Sequence, residues 1–308
     1  MEMNEMPQGS WIAYMGNLVK QKGGLNLAQG IPGFDPPEEL VGLLHYYLKQ
    51  EVHQYPPSTG DFKLLSQLAA GYEQYGDFVP ENFMVVQGAT EGISLFYTYL
   101  STIVDKPKVL VFDPPYESFT NLPKIFKHEL VTFPTPLEGE LDPNRLEKLI
   151  ASGKINIIIL CSPGNPFGKA LTQNETVNIF NLAIKYNCYV IYDHVYKDIF
   201  FDEEPYHPLY SCFPNLLYVN SFSKSLSVTG WRIGYILAHR EHMEKIKTVH
   251  DYIGLCAPSL LQRAIAEYLD KYDFGKIYTR TIREKLSGSY RFIERSLKTL
   301  GFTMPAIH

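Results

Sequence analysis

Residues 216–235 read Leu-Leu-Tyr-Val-Asn-Ser-Phe-Ser-Lys-Ser-Leu-Ser-Val-Thr-Gly-Trp-Arg-Ile-Gly-Tyr. The first six residues are typical of a buried strand. Lys224 follows among small residues, and a lysine at such a strand end is partly desolvated, which lowers its pKa and suits it to imine formation. Considered alone, Lys224 also fits an ordinary surface lysine. Arg232, Ser221 and Thr229 favour the reactive amine, because they offer donors for a phosphate beside it.

Apolar runs and helical stretches alternate along most of the chain. The runs that predict buried strands, besides Leu216–Ser221, are Phe83–Gln87, Val109–Phe112, Ile155–Cys161, Tyr189–Asp193 and Ile233–Ala238. This alternation predicts a mostly parallel sheet that helices cover on both faces. Between two runs, Val177, Phe180 and Ile184 recur at helical spacing and predict a helix packed on that sheet. Ligands bind beyond the carboxyl ends of such strands, so residues that follow each run are the candidate site residues.

Two strand ends carry polar side chains suited to an aromatic cofactor. Asp193 fits a turn or helix cap, and it equally fits a carboxylate that keeps a pyridinium nitrogen protonated. Tyr196 follows three residues later, where its phenol could donate to a ring oxygen. Asn165 lies in a Pro/Gly turn after another strand. The turn explains its prolines and glycines, whereas an amide fixed between rigid residues suggests a hydrogen-bond donor.

The remaining strand ends add a phosphate seat and an aromatic ring. Gly88, Ala89 and Thr90 open a helix, where exposed backbone N–H groups attract phosphate, although Thr90 fits an ordinary N-cap as well. Tyr116 would bring its ring to the same edge or simply pack in the core. An amine, an acid, a phenol, an amide, an arginine and a phosphate seat together match one cofactor, pyridoxal 5′-phosphate.

Composition excludes several classes of protein. The chain has 308 residues and a net charge of −5, which gives no electrostatic reason to expect binding to nucleic acid or to an anionic membrane. Apolar runs such as Ile157–Cys161 are far below the roughly 20 residues of a membrane span, and the first ten residues lack a secretory signal, so we expect a cytoplasmic protein. Four cysteines have neither zinc-ligand nor dense disulfide spacing, and no metal site is predicted.

The stretch Ser221–Gly234 resembles, over its whole length, the lysine-attachment signature of class I/II aminotransferases, which are fold-type I pyridoxal-phosphate enzymes. The resemblance covers nearly the entire chain, and within the family it is closest to the methionine and kynurenine/glutamine aminotransferase branch. It implies a three-layer α/β/α large domain over residues 31–275 with a mostly parallel sheet. It also implies a smaller, incomplete α/β domain from residues 1–30 and 276–308.

The resemblance also implies a role for each candidate residue. Lys224 would carry the cofactor as a Schiff base and then move the substrate proton, with Asp193 on the pyridine nitrogen. Catalytic residues would be Lys224, Asp193 and Tyr196. Tyr196 and Asn165 would hold the ring oxygen, Tyr116 would stack on the ring, and Gly30 and Asn165 would bind substrate. The phosphate would be bound by Gly88, Ala89, Thr90, Ser221 and Arg232, joined by Tyr55 of a second subunit, since family sites form across a homodimer.

The implied activity is transfer of the amino group of methionine, an aromatic or a glutamine-like amino acid to a 2-oxo acid. Two alternatives stay open: a pyridoxal-phosphate C–S β-lyase acting on cystathionine or cysteine conjugates, and a sensor that keeps the fold without turnover. His194 departs from the Glu, and Phe167 from the Thr, that the family often has. The family's carboxylate-binding arginine lies beyond the last residue, so we expect this chain to be a fragment of a longer polypeptide.

Overall fold

The structure is a computed structural model that describes residues 9–304. The chain divides into two compact units between Gly33 and Phe34. In the first unit, helix α1 (Trp11–Lys22) begins where the Ser10 hydroxyl accepts a hydrogen bond from the Ala13 N–H at 3.2 Å. The expected domain assignment, 31–275 against 1–30 with 276–308, stays a prediction.

The second unit alternates strands and helices, as the apolar runs predicted. Its strands are β1 Phe83–Val86, β2 Lys108–Asp113, β3 Glu129–Pro134, β4 Ile157–Cys161, β5 Tyr189–Asp193, β6 Leu216–Ser221 and β7 Gly234–Leu237. Its helices are α2 Glu38–Tyr47, α3 Phe62–Tyr72, α4 Ala89–Ile103, α5 Glu117–Phe126, α6 Pro143–Gly153, α7 Gln173–Lys185, α8 Phe222–Ser225, α9 Arg240–Ile253, α10 Ser259–Lys271 and α11 Lys276–Thr299. Among residues 9–304, no helix is both long and apolar enough to cross a membrane.

The strands of the second unit form one sheet in the order β1-β7-β6-β5-β4-β2-β3. The pairs from β6 to β3 are parallel, whereas β7 is antiparallel to both β6 and β1. The predicted mostly parallel sheet is therefore confirmed. Strand β2 lies between β3 and β4, so the chain reverses its direction of travel across the sheet there, and such a reversal is where open α/β sheets bind ligands.

Side chains of successive strand residues face two separate apolar cores. Val190 and Tyr192 of β5 join the core covered by α2, α3, α6, α7 and α10. Ile191 joins the opposite core, which α4, α5 and α9 cover. The sheet is therefore the middle of three layers, as the sequence predicted.

Helix α7 exists as predicted, but its buried face differs from the predicted one. Ile184 is 58% exposed, so its place in the apolar stripe was wrong. Phe180 is buried as predicted, and the residues buried with it are Thr176, Ile179 and Ala183, so that the four recur at i, i+3, i+4 and i+7. Thr176 is polar, so a search for apolar residues does not include it in the buried face. The apolar stripe read from the sequence therefore lies at an angle to the face that is buried.

Gly234, the first residue of β7, is expected to tolerate no side chain. A Cβ there would lie 2.8 Å from the Asn220 carbonyl oxygen and 2.9 Å from the Cα of Gly88, and backbone atoms cannot rotate away. We expect Gly234→Ala to lower the free energy of unfolding in urea by about 2 kcal/mol, as forced overpacking does. Gly230→Ala is the matched control, because a Cβ at residue 230 meets nothing within 4 Å. Equal stability of the two variants would contradict this packing.

Candidate active site

The carboxyl ends of the five parallel strands meet at one edge of the sheet. The turns that follow β2 and β4, on either side of the reversal, line a small open cleft. Tyr116 and Asn165 line this cleft together with Phe112, Cys161 and Phe167. The structure thus brings two of the predicted site residues to the same opening.

Asp193 is the last residue of β5 and is only 4% exposed. Its Oδ1 accepts a hydrogen bond from the Val195 N–H at 3.1 Å. Burial raises the pKa of Asp193 to about 7, while the Val195 N–H and the positive charge of Lys224 oppose that rise. A cationic partner placed beside Asp193 would lower this pKa and so favour the ionised carboxylate.

Lys224 lies half-buried in the one-turn helix α8, which starts as β6 ends. Burial lowers the pKa of Lys224, the nearby Arg232 lowers it further, and Asp193 opposes them. The Nζ atom lies 5.6 Å from the centre of the Tyr196 ring. The predicted amine, carboxyl and phenol therefore lie close enough to interact electrostatically.

Tyr196 is joined to Asn165, which comes from a different strand end. Burial raises the pKa of the Tyr196 phenol, the charges of Cys161, Asp193 and Tyr116 add to the rise, and a hydrogen bond with Asn165 opposes it. The phenol is therefore a protonated donor at neutral pH. Cys161 also lines the cleft beside Asn165, which its position at the end of β4 did not by itself predict.

The turn before α4 has the geometry expected of an anion site. Gly88 is the N-cap of α4 with φ +80°, and no side chain caps the helix. Thr90 is the second helical residue, so the alternative that it is an ordinary N-cap is wrong. The N–H groups of the first turn, at Ala89 and Thr90, are therefore among those without a helical partner.

Arg232 is fixed against this turn. Its Nη2 donates to the carbonyl oxygen of Gln87 at 3.1 Å, and its Nη1 donates to the carbonyl oxygen of Thr229 at 3.1 Å. A Cβ at residue 88 would overlap its guanidinium group, so glycine permits the close approach. Gln87 was missed as a site residue because it looked like the end of a strand.

Ser221 is buried at the end of β6, where it caps α8. Its hydroxyl accepts a hydrogen bond from the Ser223 N–H at 3.1 Å and donates one to the Ile233 carbonyl oxygen at 3.0 Å. Tyr55 is 82% exposed and shares a surface cleft with Gln87. Gly30 lies in the first compact unit, in a segment without helix or strand. The expected roles of all three stay predictions.

His194 follows Asp193 but belongs to a polar cluster inside one core. Its Nδ1 lies 3.1 Å from the Tyr218 hydroxyl, which lies 2.9 Å from the Tyr72 hydroxyl. Burial lowers the pKa of His194 well below its usual range, so the imidazole is neutral. These contacts hold the His194 ring inside the core.

The assembled edge suits a flat aromatic ligand with two charged ends. A buried carboxyl can hold a cationic ring atom, and a helix N-terminus with an adjacent arginine can hold an anionic arm. The amine of lowered pKa lies beside the carboxyl and the phenol, and it can act as a nucleophile or a base.

Comparisons with known proteins agree with this chemistry. The family model described as "Aminotransferase class I and II" matches residues 22–306. A probable N-succinyldiaminopimelate aminotransferase of Mycobacterium tuberculosis is 27% identical over 303 residues, which cover 95% of this chain and 75% of that protein. Methionine aminotransferase of Escherichia coli is 28% identical, over 86% of this chain and 70% of its own length.

Solved structures have the same fold. The N-succinyldiaminopimelate aminotransferase from Mycobacterium tuberculosis superposes with a TM-score of 0.87 at 26% identity, covering 96% of this chain and 78% of that one. Aspartate aminotransferase from Thermus thermophilus has a TM-score of 0.89 at 23% identity, over 97% of this chain and 80% of its own, a likeness of fold alone.

Proposed function

This chain belongs to the class I and II aminotransferase family, and from that membership we propose that Lys224, Asp193, Tyr196 and Asn165 form its pyridoxal-phosphate site. The family's members depend on pyridoxal 5′-phosphate and transfer amino groups between amino acids and 2-oxo acids. The protein is accordingly a transaminase. The single observation that best supports the proposed site is the convergence of Lys224, Asp193 and Tyr196 at one sheet edge.

The residues present fit this cofactor. Buried Asp193, whose pKa is raised to about 7, would gain a cationic partner in the protonated ring nitrogen. Gly88 permits the close approach of the Arg232 guanidinium, which a Cβ at residue 88 would overlap, and the first-turn N–H groups of α4 beside it can hold the phosphate. The Tyr196 phenol is a donor suited to the ring oxygen, with Asn165 beside it.

When bound, pyridoxal phosphate draws electrons from the bonds to the substrate Cα, which makes that carbon acidic. Asp193 would hold the proton on the ring nitrogen. Nζ of Lys224 would be the point of attachment and also the base that moves the Cα proton, since burial lowers the pKa of its amine. Tyr116 would stack on the ring and fix its plane, and Ser221 would assist Arg232 at the phosphate.

We propose that the amino donor has an apolar or aromatic side chain, such as methionine, phenylalanine or kynurenine, or is glutamine-like. The cleft beside Asn165 supports this, because it is lined mostly by apolar and aromatic side chains such as Phe112, Phe119, Phe167 and Leu171. The similarity to methionine aminotransferase of Escherichia coli points in the same direction.

The test is a spectrum of the pyridoxal-phosphate form during single turnovers with methionine, phenylalanine, kynurenine, glutamine and aspartate. We expect methionine or an aromatic donor to convert the cofactor to its amine form faster than aspartate does, with one equivalent of that donor's own 2-oxo acid released per chain. Failure of methionine, phenylalanine, kynurenine and glutamine alike would refute the donor class. Release of pyruvate from a cysteine conjugate without any oxo acid would support a C–S β-lyase instead.

We further propose that the enzyme works in the cytoplasm as a homodimer in which Tyr55 reaches the phosphate of the partner's site. The 82% exposure of its side chain supports a role outside its own subunit. Sedimentation of the pyridoxal-phosphate form would reveal the dimer.

A further inference from the structure

Glu91, the third residue of α4, makes contacts that an ordinary helix cap does not. Its Oε2 accepts a hydrogen bond from the backbone N–H of Gln87, one residue before the N-cap Gly88. Its Oε1 lies 3.7 Å from Nε2 of His250, and the Glu91 side chain is only 16% exposed. The carboxylate therefore joins the turn before α4 to the last turn of α9.

Gln87 is held from three directions. Its N–H donates to Glu91, its carbonyl oxygen accepts from Arg232 at 3.1 Å, and its amide Nε2 donates to the carbonyl oxygen of Gly254 at 3.3 Å. The residue thus connects the arginine proposed for the phosphate with the end of α9. A change on the Glu91 side of Gln87 would be transmitted to Arg232 and to the turn at Gly88.

His250 and Gly254 complete the arrangement. His250 is fully buried, and among residues 9–304 neither ring nitrogen has a hydrogen-bond partner, so the Glu91 carboxylate is the acid that faces it. A Cβ at residue 254 would overlap the Glu91 carboxylate and lie 2.7 Å from Nε2 of His250. Gly254 has φ −107°, which any residue adopts, so glycine is required there for space.

We propose that Glu91 is a positioning residue for the phosphate turn: it fixes Gln87, and through Gln87 the Arg232 guanidinium and the N–H groups of Gly88 and Ala89. The inference rests on the proposed pyridoxal-phosphate site. Glu91 itself touches no phosphate. It sets the geometry of the groups that do, and its effect is therefore on cofactor affinity through the phosphate.

Glu175 provides a matched comparison. It is also the third residue of its helix, α7, and its carboxylate accepts the N–H of its own N-cap Thr172 at 2.8 Å and that of Leu141 at 2.8 Å. It lies outside the proposed site residues. Glu175→Ala therefore measures the effect on stability of losing a buried carboxylate from the first turn of a helix, without any effect on the proposed site.

The experiment titrates cofactor-free protein with pyridoxal phosphate and, separately, with pyridoxal, and follows the absorbance of the bound form. For Glu91→Ala we expect at least about a tenfold weaker affinity for pyridoxal phosphate, the effect of one charge-assisted hydrogen bond. Affinity for pyridoxal, which lacks the phosphate, should stay within about twofold of the wild type. Glu91→Gln, which keeps an acceptor for the Gln87 N–H, should restore part of the loss.

Two further variants keep the test decisive. Gly254→Ala places a methyl group against the Glu91 carboxylate and should weaken pyridoxal-phosphate affinity in the same direction. Glu175→Ala should lower the thermal midpoint and leave both affinities unchanged. Wild-type affinity for pyridoxal phosphate in Glu91→Ala, or an equal loss for pyridoxal, would overturn the inference. Failure of the wild-type protein to bind pyridoxal phosphate would instead overturn the proposed function.

Discussion

Lys224→Ala is expected to abolish transamination, with kcat falling roughly 10⁴-fold, the upper end of what a positioned base contributes. The variant loses both the amine proposed to attach the cofactor and the base proposed to move the Cα proton. Burial lowers the pKa of Lys224, so the unprotonated amine needed for both tasks is more accessible than in an exposed lysine. Steady-state rates and the absorbance of the protein with pyridoxal phosphate measure the two losses separately.

Lys197 is the matched control, since it lies one residue after Tyr196 and has the opposite electrostatics. Burial alone would lower the pKa of Lys197, but Asp198, whose Oδ1 lies 2.7 Å from Nζ, raises it above the usual range. That lysine stays protonated and is a poor nucleophile. We therefore expect Lys197→Ala to keep the visible band of bound cofactor. A Lys224→Ala protein that retained normal turnover, or a Lys197→Ala protein that lost the band while still folded, would contradict the assignment.

Asp193→Asn is expected to reduce kcat by about 10²- to 10³-fold, the usual cost of removing one preorganised electrostatic group. The amide cannot hold a proton on the ring nitrogen, so the ring withdraws electrons less strongly. Cofactor should still attach, because Lys224 is unchanged. Single-turnover rates with the best amino donor measure this effect, and an unchanged rate would refute the role of Asp193.

We also expect Asp193→Asn to change how the stability of the cofactor-free protein depends on pH. Burial raises the pKa of Asp193 to about 7, against about 3.9 for an unfolded aspartate. The folded state therefore binds the proton more readily, and the stability from this group is present at low pH and is lost as pH rises through about 7. Asparagine does not titrate. The stability of Asp193→Asn relative to wild type should therefore rise by at least about 1 kcal/mol between pH 4 and pH 8 in urea unfolding; a constant difference would contradict the raised pKa.

Much of the sheet could be predicted from apolar runs. Strands β5 and β6 have the predicted bounds because residues buried on both faces form continuous apolar runs. Strand β3, Glu129–Pro134, was missed because it lies at the edge of the sheet, where only Phe133 is buried and the run is mixed in character. Periodicity alone does not separate such a strand from a loop.

The sequence could predict those site residues that lie at the end of a strand or soon after it. Lys224, Asp193 and Asn165 were found in this way, because parallel strands bring their carboxyl ends to a common edge. The link from Gln87 through Glu91 to His250 could not be predicted from the sequence, since Glu91 and His250 lie 159 positions apart in the chain. Only the packing of α9 against α4 brings the two side chains together.

The most direct test of the account is to incubate the intact protein with pyridoxal phosphate, reduce it with borohydride, and map the modified lysine by mass spectrometry of its peptides. The account predicts one cofactor adduct per chain, on Lys224 in the peptide that contains Ser221 to Arg232. No adduct, or an adduct on another lysine with Lys224 unmodified, would contradict it.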